Sequence, residues 1–110
     1  MNARVNHFQT VPSLTKALGD ASMALHKTSL DGAIKNLVDI RTSQLNGCTF
    51  CLDMHVKQAK LRGERELRLY HLSVWRESPL FSDKEKAALA LTEALTCIGE
   101  EGVSLSLIHI

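Results

Sequence analysis

The chain has 110 residues, 45% of them hydrophobic and 23% charged, with 13 Lys plus Arg against 12 Asp plus Glu for a formal net charge of +1. That length suits one hydrophobic core and a single domain over residues 1–110, and the near-neutral charge offers no electrostatic footprint for nucleic acid. No apolar run approaches the roughly 20 residues that span a bilayer, no basic and apolar leader opens the chain, and an odd set of cysteines makes no secreted disulfide framework; the expectation is a cytoplasmic protein without a membrane partner.

Residues 1–9 show no period and read as a loosely held arm. Thr10-Val11-Pro12 offers a helix start, since proline is tolerated in a first turn, and Leu14, Leu18, Ala21 and Leu25 follow at helical spacing. The isolated His7 and His26 are given no chemistry. The period breaks at Ser29-Leu30-Asp31-Gly32, then Leu30, Ile34, Leu37, Val38 and Leu45 mark one face of a second helix ending before Asn46-Gly47. Arg41 suits the C-terminal half of that helix through the dipole, and it could also hold a carboxylate.

A third helix is expected over residues 47–62, with Asn46 as its N-cap, Val56 and Ala59 inward and Gly63 just past its end. A shorter piece over 64–72 carries Leu67, Leu69, Tyr70 and Leu72, and Trp75 beside the Glu77-Ser78-Pro79 turn reads as core. Ser82-Asp83-Lys84-Glu85 is a capping box that opens a helix to about residue 98. Its buried stripe is expected to be Ala87, Leu91, Ala94, Leu95 and Ile98, with Cys97 a small core residue. No segment alternates with period two over a strand's length. The fold is therefore expected to be all-α, a compact helical bundle whose short connections make antiparallel neighbours.

The chemistry gathers in Asn46-Gly47-Cys48-Thr49-Phe50-Cys51-Leu52-Asp53-Met54-His55. On a helix, Cys48, Cys51 and His55 fall at i, i+3 and i+7 and share a face. Both thiols would lie in or near the first turn, where free N–H groups and the dipole favour the thiolate, and a histidine one turn later can exchange protons near neutrality. Three readings follow from the residues: a redox dithiol, a zinc site needing a further ligand, or a buried cysteine pair beside a satisfied core histidine.

Arg41-x-Ser43-Gln44-x-Asn46-Gly47-Cys48-x-x-Cys51-x-Asp53-x-His55, extended by Trp75-Arg76-Glu77, Phe81-Ser82 and Thr92-Glu93-Ala94, resembles the carboxymuconolactone decarboxylase family in its alkylhydroperoxidase D-like branch, over about residues 10–100. The resemblance implies an all-helical subunit forming homo-oligomers, with no cofactor or metal, that reduces small hydroperoxides and is recharged by an external dithiol. It implies that Cys51 is the peroxidatic thiol, Cys48 the resolving thiol and His55 part of a proton relay. The alternatives are lactone decarboxylation, which uses no dithiol, and a non-catalytic helical module that holds zinc through Cys48, Cys51 and His55.

Two departures from the family pattern stand out. The pattern places a relay Glu twelve residues before the first cysteine, and Asn36 occupies that position here; an amide cannot exchange a proton at neutral pH. The relay is then expected to shorten to His55 and water, or to draw on Glu93, Glu85 or Asp39. Family members also continue with further helices, whereas residues 105–110 read as a non-native ending that resembles translated adapter sequence, with no role for His109. The expected consequence is that Leu91, Leu95 and Ile98 lose part of their cover.

Overall fold

The computed structural model describes residues 4–108, which divide into two compact units, one ending at Leu30 and the other beginning at Asp31. All regular structure among the described residues is helical, as the absence of period-two alternation predicts.

The first unit holds α1 (His7–Thr10) and α2 (Pro12–Leu25). The stretch expected to be a loose arm is partly helical, because the Asn6 side chain accepts from the backbone N–H groups of Phe8 and Gln9 at 3.1 and 3.3 Å. Pro12 opens α2 as its fixed φ predicts. Thr15 Oγ1 donates to the His7 carbonyl at 3.1 Å and also meets the His7 ring, which gives that histidine a structural role. The apolar period of α2 is present, yet Leu14, Leu18 and Leu25 are exposed.

The second unit is built around α3 (Gly32–Asn46), which touches both α4 (Thr49–Leu61) and α6 (Asp83–Thr96). Between these lie α5 (Glu66–His71) and a 3-10 turn (Leu72–Val74), and α7 (Leu105–Ile108) follows α6. Asp31 starts α3 by accepting from the Ala33 N–H at 2.8 Å. Leu37, Ile40, Ala59, Leu72, Trp75, Phe81 and Leu89 form one core, with the side chains of α3 at its centre. Each fully buried Leu or Ile there contributes about 1.5–3 kcal/mol relative to exposure. Trp75 is core, as expected. Gly63, at φ 87°, ends α4 in the left-handed region where a side chain would be strained.

Three expectations change. Asn46 is the last residue of α3 rather than the N-cap of α4, because Gly47 at φ 63° closes α3 by donating to the Gln44 and Ser43 carbonyls. The buried residues of α6 are Leu89 and Thr92, with Glu85, Ala87, Leu91 and Ala94 half-buried and Leu95 and Ile98 exposed. Thr92 is buried because its hydroxyl bonds the Ala88 carbonyl of its own helix at 2.8 Å, a polar residue that counting apolar positions passes over. Cys97 is exposed at the end of α6, where the chain leaves helical geometry, and is not a core residue. His109 lies outside the described residues.

Candidate active site

The connection from α3 to α4 consists of Gly47 and Cys48, so the first thiol sits where one helix stops and the next begins. Cys48 has extended backbone and is itself the N-cap of α4; its sulfur accepts from the Cys51 N–H at 3.3 Å. Cys48 and Cys51 are joined by a disulfide, with Cα atoms 5.3 Å apart. Helical spacing predicts the proximity, and the cap explains it: the turn that brings the first sulfur over the N3 amide also brings it to the N3 side chain.

His55 lies one turn beyond Cys51 on the same helix and is half-buried. Its Nδ1 is 3.1 Å from Gln58 Oε1 and 3.7 Å from Asp39 Oδ2 on α3. Both facing atoms are acceptors, an arrangement that favours a proton on Nδ1. Asp39 in turn receives Lys35 Nζ at 2.8 Å, which fixes its position. Gln58 stands outside the motif residues, and its place three residues after His55 puts it on the same face.

Of the three carboxylates that could stand in for the missing relay Glu, only Asp39 reaches His55 among the described residues. Glu93 accepts from Trp75 Nε1 at 2.8 Å, Arg41 Nε at 3.0 Å and Arg76 Nη1 at 2.7 Å. Burial alone would raise its carboxyl, but the Trp75, Arg76 and Arg41 donors outweigh that and hold it below the usual carboxylate range. Arg41 therefore holds a carboxylate, one that is part of the frame. Glu85 is bonded by Arg68 Nη2 at 2.8 Å and accepts the Ser82 N–H at 2.9 Å; the Arg68 hydrogen bonds keep its carboxyl low. Asn36 is buried one helical turn from Asp39 on α3, and among the described residues no hydrogen bond joins it to His55. No group of three or more His, Cys, Asp and Glu among the described residues is arranged to hold a metal ion.

Along 109 residues the chain is 38% identical to the uncharacterized protein YdfG of Bacillus subtilis, covering 99% of this chain and 74% of the relative. It is 39% identical over 69 residues to the uncharacterized protein YnjA of Escherichia coli, covering 62% of this chain and 37% of the relative. A crystal structure of an Agrobacterium tumefaciens protein of unknown function, provisionally assigned as the antioxidant-defence protein AhpD, superposes with a TM-score of 0.87 at 33% identity and covers 98% of this chain and 74% of that one. The family model that matches residues 10–94 spans the whole dithiol turn, its histidine and the Glu93 frame, and with it the chain belongs to the carboxymuconolactone decarboxylase family.

Proposed function

We propose that the protein is a thiol-dependent peroxidase that reduces small hydroperoxides in the cytoplasm, working as a homo-oligomer and recharged by an external dithiol. The observation that carries this reading is the bonded Cys48–Cys51 pair at the start of α4, with His55 on the same helix, hydrogen-bonded to Gln58 and 3.7 Å from the Asp39 carboxylate. The antioxidant assignment of the Agrobacterium neighbour supports it.

In the proposed cycle the Cys51 thiolate attacks one peroxide oxygen, the O–O bond breaks, and water or an alcohol leaves with a proton supplied through His55. Cys51 is then a sulfenic acid. The Cys48 thiolate attacks its sulfur, hydroxide leaves and is protonated to water, and the disulfide forms. An external dithiol reduces that bond by exchange through a mixed disulfide and becomes oxidised itself. In this cycle Gln58 Oε1 accepts the Nδ1 proton of His55, the nearby Asp39 carboxylate favours the charged ring electrostatically, and Nε2 takes and returns the mobile proton.

The testing experiment is stopped-flow mixing of the reduced protein with hydrogen peroxide and with an organic hydroperoxide, followed by mass analysis of the thiols. The expected result is one intramolecular disulfide per equivalent of peroxide, formed more slowly in Asp39→Asn and close to normally in Asp39→Glu. Reduced thiols that survive excess peroxide would refute the reading.

A further inference from the structure

A cavity of about 650 Å³ opens at the far end of the α3–α4 pair, where α3 begins and α4 ends, away from the disulfide. This volume lies within the range of small-molecule sites. Its polar wall is formed by Asn36, Arg62, Arg65, Arg68, Glu64 and Glu85. Arg68 is fully engaged: it donates to Glu64 at 2.7 Å, to the Leu80 carbonyl at 2.6 Å and to both Glu85 oxygens at 3.1 and 2.8 Å. Arg68 thereby offsets one of the two glutamate charges. Arg62 and Arg65 have no carboxylate within ion-pair distance among the described residues, and Asn36, only 4% exposed, has no hydrogen-bond partner for its amide among them.

The geometry points to a binding site for a small organic monocarboxylate in this cavity, held by Arg62, Arg65 and the Asn36 amide. A planar carboxylate matches the fork of a guanidinium, and the Asn36 amide, on the cavity wall and hydrogen-bonded to no protein group among the described residues, can add a neutral donor. Three arginines against two glutamates leave one excess positive charge, which suits a single carboxylate; a doubly charged phosphate would face Glu64 and Glu85. Arg62 is positioned for this by Gly32. A Cβ there would collide with Arg62 Nη1, so the guanidinium rests on bare backbone at the start of α3. The site is independent of the thiol chemistry and stands or falls without it.

Titration of the full chain with butyrate at low ionic strength, followed by NMR at the Asn36 side-chain amide, tests the assignment. The expected result is a saturable shift whose dissociation constant rises about tenfold in Arg62→Ala and in Arg65→Ala, the loss of one charge-assisted hydrogen bond each. Gly32→Ala displaces only the end of a flexible side chain and improves helix propensity, so it should weaken butyrate by a similar factor with the melting temperature unchanged or raised. Four results would each overturn the proposal: no saturable shift, equal shifts in wild type and both arginine variants, the same shift from matched sodium chloride, or tighter binding of inorganic phosphate than of butyrate.

Discussion

Two helix starts in this molecule use the same position for different ends. At α6 the Ser82 hydroxyl accepts from the Glu85 N–H at 3.2 Å, and Glu85 answers by accepting from the Ser82 N–H at 2.9 Å. At α4 the Cys48 sulfur accepts from the Cys51 N–H at 3.3 Å, and no side chain at N3 answers, because that side chain is the other half of the disulfide. The first start is closed on itself and anchored by Arg68, whose guanidinium also lies 5.1 Å from the centre of the Phe81 ring. The second ties its N3 side chain to the cap itself through the disulfide. A capping position can thus close a helix start by a reciprocal hydrogen bond or by a covalent one, and the residue three places on decides which.

The sharpest way to break the comparison is at the thiols. Cys51→Ser should abolish peroxide consumption altogether, whereas Cys48→Ser should allow one turnover and then stall as a sulfenic acid, read by mass spectrometry. Serine is a better N-cap than cysteine, so reduced Cys48→Ser should unfold at the same or higher denaturant concentration than the reduced parent. Equal residual activity in the two variants would refute the division of roles.

Next in size is Arg68→Ala. It strands Glu64 and Glu85, both mostly buried, and should cost about 3 kcal/mol in urea unfolding. Acid should act on the same frame more mildly. Arg68 hydrogen bonds lower the Glu85 carboxyl, and the donors on Glu93 lower that carboxyl against its burial. A carboxyl lower in the folded than in the unfolded state adds stability that is fully present above its ordinary value near 4.5 and is lost as pH falls through its folded value. The unfolding free energy should therefore be flat from pH 7 to about 5.5 and decline below that, and less so in Glu93→Gln. The smallest effect is Ser82→Ala, about 1 kcal/mol with peroxide oxidation of the thiols unchanged.

What could be read from the chain beforehand divides along the same line. The capping box and the sulfur, sulfur and imidazole of the dithiol turn are local patterns, complete within four to eight residues, so spacing alone exposes them. Gly47 was ambiguous because a glycine can end one helix or stand before the next; only its positive φ assigns it to α3 and hands the cap to Cys48. The face of α6 is hidden from apolar spacing because polar groups share it. Glu85 turns inward to Arg68 and Thr92 hides its hydroxyl in its own helix, while Leu95 and Ile98 point out. Arg41 and Trp75 meet Glu93 from positions 52 and 18 residues away, and no local period carries such pairs. Asp39 was one of three equivalent carboxylates on paper, and distance alone singled it out.

Gly47 has a wider consequence for how this turn can vary. With a single left-handed residue between the last turn of α3 and the capping sulfur, the elbow leaves no slack. Any side chain there must either bear the strain or let the elbow relax, and relaxing it swings the sulfur away from the helix it caps. The capping sulfur's address is written by a neighbour that makes no bond to it.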